Sequence, residues 1–123
     1  IKRKAERHLE KGRIIILAAG TGNPYFTTDS AASLRAIELN AQIMLKGTKV
    51  DGIYDKDPIK HSNAVLYKSI SYSDILKKNL EVMDATAVVM CKENSMPLKV
   101  FNILKKGNLK KAILSDKIGT KIG

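Results

Sequence analysis

The chain has 123 residues, of which 44% are hydrophobic, and this is enough for one compact domain with a modest core. It contains no run of about 18 apolar residues, so we expect no segment that spans a bilayer and no membrane partner. A single cysteine, Cys91, excludes an internal disulfide and suits the reducing cytosol, so we expect a cytoplasmic location. Cys91 lies in an apolar run and is predicted to be a buried small hydrophobe.

The net charge of +10 and the pI near 9.8 raise the question of a nucleic-acid partner. The lysines and arginines are dispersed, however, and the six aromatic residues form no stacking platform between them. We therefore expect no nucleic-acid partner. A non-enzymatic, basic nucleic-acid-binding module remains the alternative, and it predicts an affinity that falls steeply with salt.

The N-terminal part reads as a helix followed by a buried strand. Ile1, Ala5 and Leu9 recur at helical spacing and Gly12 follows them, which predicts a helix over residues 1–11. Residues 13–19 (RIIILAA) form a nearly continuous apolar run, typical of a parallel strand buried on both faces.

Strands and helices alternate along the rest of the chain, which favours an α/β fold with a mainly parallel sheet. We predict further strands over 42–45, 66–72, 97–103 and 119–123. Helices are predicted around Leu34, Ile37 and Ala41, after a cap at Ser73 or Asp74, from Asp84 to about Lys92, and over 108–113.

The first of two polar loops is AAGTGNPYFTTDSAA, residues 18–32, between the predicted buried strand and the next helix. Its two glycines allow a ligand to approach the backbone closely. Asp29 is predicted to cap the helix, whose N-terminal N–H groups suit a phosphate. Because about twelve residues is long for a simple connection, we interpret this segment as a ligand-binding loop. Hydroxyl and amide groups for such a ligand belong to Thr21, Asn23, Thr27 and Thr28.

The second polar loop is KGTKVDGIYDKDP, residues 46–58. Asp51, Asp55 and Asp57 lie close together there, but their spacing does not fit an EF-hand calcium loop. A solvated turn and a nucleotide-binding loop are equally good interpretations. The P-loop pattern is absent from the sequence, so any nucleotide is held in another way.

Taken together, the two loops resemble those of the bacterial UMP kinases, a group within the amino acid kinase family. KGTKVDGIYDKDP is similar to the adenine-nucleotide segment shared across that family, and LAAGTGNPYFTTDSAA is similar to the uridylate loop of its UMP kinases. The segments EVMD (81–84) and MPLKVFNI (96–103) follow the same pattern, and the likeness covers almost all of the chain.

This resemblance implies a three-layer α/β sandwich with a mainly parallel sheet, and a kinase that transfers the γ-phosphoryl group of ATP to UMP. The products would be UDP and ADP, the cofactor Mg²⁺ bound with ATP, and the process pyrimidine nucleotide biosynthesis. Asp84 would lie near the transferred group as a catalytic residue, with no protein metal ligand assigned. The implied ATP-binding residues are Thr48, Tyr54 and Asp57. The implied UMP-binding residues are Thr21, Gly22, Asn23, Pro24, Tyr25, Phe26, Thr27 and Thr28.

The resemblance also implies that residues 1–123 are the C-terminal part of a single kinase domain. The family's glycine-rich phosphate loop and catalytic lysine belong to an N-terminal half that is not in this sequence, so we expect binding without appreciable turnover. A homohexamer with GTP and UTP as effectors is implied as well. Another member of the family, acting on a small carboxylate or carbamate, is the nearest alternative.

Overall fold

A computed structural model describes residues 2–18, 20 and 22–123 of the chain. No helix in these ranges has the length and apolar character needed to cross a membrane. The elements are α1 (Lys2–Glu10), α2 (Thr28–Glu38), β1 (Met44–Thr48), β2 (Ser69–Ile70), α3 (Tyr72–Lys77), α4 (Ala85–Glu93), β3 (Leu98–Asn102), α5 (Asn108–Leu114) and β4 (Thr120–Ile122).

The four strands form one sheet in the order β1-β3-β4-β2. β1 pairs with β3 in parallel, from Met44 opposite Leu98 to Thr48 opposite Asn102. β2 and β4 are also parallel, whereas β3 and β4 are antiparallel. The predicted mainly parallel sheet is therefore confirmed, and the carboxyl ends of β1 and β3 lie at the same edge.

Alternate residues of β3 serve the two faces of the sheet, as expected for an extended strand. Leu98 and Val100 belong to the main buried cluster, together with Val88 and Cys91 of α4. Lys99, between them, donates instead to the carbonyl oxygen of Ala112 in α5 at 2.9 Å. Helices thus cover both faces, and the chain has the expected three-layer α/β sandwich architecture.

Cys91 is fully buried, as predicted. Its Sγ donates to the Oγ of Ser33 at 3.3 Å and so connects α4 to α2. Both side chains are small, which allows the two helices to pack closely on the same side of the sheet. We therefore assign Cys91 to the core.

The predicted strand over 13–19 is wrong for the described residues 13–18, which form no regular element. Ile14 and Ile16 are 95% and 90% exposed instead of buried. The physical reason is that no strand of the described sheet lies beside this segment to accept its backbone hydrogen bonds. Ala19, the last residue of the prediction, lies outside the described residues, as does Ile1 at the start of the first predicted helix.

Two helix caps also differ from the prediction. Thr27, not Asp29, caps α2: its Oγ1 accepts a hydrogen bond from the backbone N–H of Ser30 at 3.2 Å. Ser71, not Ser73 or Asp74, caps α3 in the same way. In both cases several good capping residues lie within a few positions of one another, and the helix starts after the first of them.

Strand bounds shift for a related reason. β1 begins two residues later than predicted and extends to Thr48, because β3 supplies pairing partners as far as Asn102. The strand predicted over 66–72 shortens to β2, and Leu66 contributes only an isolated bridge to Tyr54. Pairing partners, which lie far away in the sequence, therefore decide where these strands begin and end.

Lys99 provides a test of this packing. The residue is 4% exposed. Its ammonium donates to the carbonyl oxygens of Ala112 and Ser115 and to the Asp116 carboxylate. We expect Lys99→Met to lower the free energy of unfolding by about 1–3 kcal/mol, since it leaves carbonyls at the end of α5 without a donor. Urea unfolding measures this. The matched control, Lys110→Met on the exposed side of α5, should change stability by less than about 0.5 kcal/mol.

Candidate functional site

Described residues of the loop before α2, together with α2 itself, border a large cleft with a volume of about 1100 Å³. We call it the α2 cleft. Leu9 of α1 and Leu17 form part of its apolar wall, and Arg35 of α2 contributes a charged side chain. The loop residues that line it are Gly20, Gly22, Asn23, Pro24, Phe26, Thr27 and Thr28.

Most of the residues predicted for UMP therefore lie along one cavity. Tyr25 is the exception, since it is 92% exposed and does not line the α2 cleft. Thr21, also predicted for UMP, lies outside the described residues. The ligand assignment of the lining residues stays a prediction, but the structure places them along the same cavity.

The loop has a backbone that only particular residues adopt easily. Gly20 and Gly22 have φ values of +62° and +76°, in the left-handed region that favours glycine. Asn23 then folds the chain into a turn, because its Oδ1 accepts from the N–H of Tyr25 at 3.0 Å and its carbonyl oxygen from the N–H of Phe26 at 3.1 Å. The loop is shaped by its own hydrogen bonds.

One carboxylate joins this loop to a second helix. Asp84 caps α4 by accepting from the N–H of Ala87 at 2.9 Å, as predicted. The same carboxylate accepts a hydrogen bond from the Oγ1 of Thr27 and, at 3.4 Å, from the Oγ of Ser30. Asp84 therefore holds the N-termini of α2 and α4 next to each other, across 57 residues of sequence.

The environment of Asp84 favours its ionised form. Partial burial raises the pKa of the carboxyl group, but the hydrogen bonds from Thr27, Ala87 and Ser30 lower it by more, so the pKa lies below its ordinary value of 3.8. Two helix N-termini also bring their positive dipole ends to this point. A negative charge at Asp84 is consequently stable at neutral pH.

A lysine–aspartate pair connects the first turn of α2 to the segment that precedes Asp84. The Nζ of Lys46, on β1, is 3.2 Å from both carboxylate oxygens of Asp29 and donates to the carbonyl oxygen of Val82 at 2.6 Å. Asp29 is thus an ion-pair partner and not the cap of α2. Lys46 was not among the predicted site residues, because nothing local distinguishes it within a total of 22 lysines and arginines.

The residues predicted for ATP lie in the second loop, and each is engaged locally. The Oγ1 of Thr48 accepts from the N–H of Val50 at 2.9 Å, and the Oδ1 of Asp57 accepts from the N–H of Ile59 at 2.9 Å. Tyr54 is half-buried at its bridge to Leu66. None of the three lines the α2 cleft, so the two predicted nucleotide loops form separate surfaces.

The three aspartates of the second loop do not converge. Asp51 contacts Asn102 and Lys105, and the Oδ1 of Asp55 accepts from the N–H of Val65 at 2.8 Å. Within residues 2–18, 20 and 22–123, no three acidic, histidine or cysteine side chains form a group that could hold a metal ion.

The sequence of this chain matches a known protein family. The sequence profile of the amino acid kinase family matches residues 1–102, and the chain belongs to that family. The amino acid kinase assignment covers β1, the loop 46–58, Asp84 and most of the sheet.

Among solved structures, the chain is similar to kinases that act on a uridine nucleotide by name. The chain is 34% identical to the UMP kinase from Bacillus anthracis, with a TM-score of 0.96, and 41% identical to the UMP kinase from Ureaplasma parvum, with a TM-score of 0.95. It is 28% identical to the uridylate kinase from Archaeoglobus fulgidus, with a TM-score of 0.79. All three alignments cover 100% of this chain, but 51%, 53% and 58% of the other chains, so it spans about half the length of these kinases.

Thr27 tests the junction between α2 and α4. We expect Thr27→Val to lower the free energy of unfolding by about 1–2 kcal/mol, because it removes the cap of α2 and the hydroxyl donor to Asp84. Urea unfolding of the variant measures the loss. The control is Thr28→Val, which makes the same change one residue later and should cost less than about 0.5 kcal/mol. Equal losses would contradict the special role of Thr27.

The pKa of Asp84 predicts a pH dependence. A carboxyl group whose folded pKa is lowered stabilises the fold above its unfolded value, and that contribution is lost as pH falls through the folded pKa. We expect Asp84→Asn to be less stable than the wild type at neutral pH, with a difference that shrinks below about pH 4. Urea unfolding over a pH series measures it.

Proposed function

We propose that this chain is the nucleotide-binding part of a UMP kinase, which transfers the γ-phosphoryl group of ATP to UMP and yields UDP and ADP for pyrimidine nucleotide synthesis. The observation that carries the proposal is the α2 cleft, which opens at the N-terminus of α2 where Thr27 and the ionised Asp84 meet. The similarity to UMP kinases from two bacteria and to an archaeal uridylate kinase supports the choice of substrate.

Different regions of the α2 cleft suit the base, the sugar and the phosphate of UMP. Its apolar wall, with Leu17 and Phe26, suits a planar base and a sugar, whereas Asn23 and Thr28 offer polar groups. The first turn of α2 supplies backbone N–H groups and a positive dipole end for the phosphate. In this arrangement the phosphate of UMP points toward Thr27 and Asp84.

The charged groups next to that position suit phosphoryl transfer. Such a reaction depends on positioning and on neutralisation of the charge on the transferred group. The ammonium of Lys46 is held by Asp29 and supplies positive charge, while Asp84 supplies a carboxylate. The carboxylates of Asp84 and Asp29 have the donor chemistry of Mg²⁺ ligands, which usually number one or two beside the phosphates of a nucleotide. Mg²⁺ would supply charge neutralisation between the phosphates when bound.

ATP would contact the second loop through Thr48, Tyr54 and Asp57. β1 links that loop to the charged cluster, because Lys46 and Thr48 are two residues apart on the same strand. Since the chain spans about half the length of the similar kinases, we expect the 123-residue chain to bind nucleotides without appreciable turnover. The homohexamer, with its GTP and UTP effectors, also belongs to the proposal for the whole protein.

Calorimetric titration of the 123-residue chain with UMP tests the substrate. We expect UMP to bind and aspartate, glutamate and carbamoyl phosphate to have no effect on its affinity. Competition by one of these compounds would favour another member of the amino acid kinase family. Retention of RNA that declines log-linearly with salt, without UMP binding, would favour a nucleic-acid module instead.

Asp57→Asn tests the division between the two loops. The amide keeps an acceptor for the N–H of Ile59 but is a weaker acceptor than a carboxylate for a ribose hydroxyl or an adenine amino group. We therefore expect ATP to bind about tenfold more weakly and UMP to bind unchanged. Asp55→Asn, two residues earlier in the same loop, is the matched control and should leave both affinities unchanged. Equal weakening of ATP and UMP by Asp57→Asn would show that the two ligands do not use separate loops.

A further inference from the structure

A second cleft, with a volume of about 450 Å³, is lined by lysines from three segments of the chain. They are Lys68, which precedes β2, Lys105, which follows β3, and Lys117, which precedes β4. We call this the basic cleft. It shares no lining residue with the α2 cleft and includes none of the residues assigned to UMP or ATP.

We propose that the basic cleft is a binding site for a phosphorylated small molecule, separate from the substrate and ATP sites of the proposed kinase. The inference goes beyond that function and stands on the geometry and charge of the basic cleft alone.

The charge balance of the basic cleft favours an anion. The ammonium groups of Lys68 and Lys117 have no hydrogen-bond or ion-pair partner among the described residues. Asp51 is the acidic residue in the lining, and its Oδ1 already pairs with the Nζ of Lys105 at 2.9 Å and accepts from the Nδ2 of Asn102 at 3.2 Å. Two ammonium groups are therefore available to a ligand, and a third becomes available if Lys105 leaves Asp51.

Two of the three lysine-bearing segments, those of Lys68 and Lys117, are held together by one buried side chain. Thr120 is fully buried, and its Oγ1 accepts from the N–H of Ile53 at 2.9 Å and donates to the carbonyl oxygen of Tyr67 at 2.5 Å. It thus ties the loop after β1 and the residue before Lys68 to β4. The lysines of the basic cleft therefore lie near the ends of β2, β3 and β4, and the sheet fixes their backbone positions.

The turn that carries Lys117 is also constrained. Gly119 has a φ of +77°, and a Cβ at this position would lie 2.4 Å from the carbonyl oxygen of Val100. Only glycine fits there, because the turn passes directly over β3. The N–H of Lys117 donates to the Oγ of Ser115 at 3.4 Å, which closes the turn from the other side.

The size and lining of the basic cleft limit the ligand class. A volume of 450 Å³ exceeds that of a single phosphate group, and Leu66 and Ile118 add apolar surface beside the lysines. A phosphate or polyphosphate attached to a small organic group satisfies both features. Asp51 belongs to the same loop as Thr48 and Tyr54, so a ligand that takes Lys105 from Asp51 acts on the backbone segment proposed to hold ATP.

Tripolyphosphate is a suitable probe, and we would follow its titration through backbone amide resonances of the 123-residue chain. We expect the amides of Ile118 and Gly119 to shift with a saturable dependence. The double variant Lys68→Ala/Lys117→Ala should weaken that response at least tenfold. The control, Lys4→Ala/Lys92→Ala, removes the same charge from α1 and α4 and should leave the response unchanged.

Asp51→Asn gives a measurement in the opposite direction. It removes the carboxylate that competes for Lys105, so we expect tripolyphosphate to bind severalfold more tightly. Equal weakening by both double-lysine variants, or shifts confined to residues 22–30, would overturn the proposal. Titration of the wild type with UMP separates this proposal from the proposed kinase function. Absence of UMP binding contradicts only the kinase function, because the basic cleft is tested by tripolyphosphate.

Discussion

The Asp84 carboxylate is the point on which the arrangement of the site depends. It caps α4 and at the same time accepts a hydrogen bond from Thr27, the cap of α2. Each cap alone satisfies backbone donors of one helix, but the shared carboxylate also fixes the distance between two helix N-termini. Because the loop that precedes α2 ends at Thr27, the wall of the α2 cleft is placed by the same contact.

The sheet places the other charged groups around this point. β1 brings Lys46 to Asp29, and β3 brings Lys99 to the C-terminal end of α5, where three oxygens surround its ammonium. Both lysines bind oxygen atoms of the protein itself. The net charge of +10 is otherwise consistent with a solvated basic surface. The basic cleft differs from both, because the ammonium groups of Lys68 and Lys117 have no partner among the described residues, whereas Lys105 pairs with Asp51.

Local patterns predicted most helices well and the strand ends less well. The cap at Asp84, the burial of Cys91 and the five helices of the described residues follow from caps and spacing within a few residues of each one. The segment 13–18 looked like a buried strand because its composition is apolar, yet burial requires a neighbouring strand, which the described sheet does not provide. The apolar composition of a segment shows that it can be buried, but it does not show whether another strand lies beside it.

The sequence by itself determined the α/β class, the family resemblance and the two polar loops, because these depend on residue types and on spacing along the chain. Only the tertiary structure decided that Thr27 and not Asp29 caps α2, that Asp29 pairs with Lys46, and that Tyr25 turns away from the α2 cleft. The physical reason is that hydrogen bonds and ion pairs select among several chemically suitable side chains by distance. Those distances are set by strand pairing and helix packing between residues far apart in the sequence.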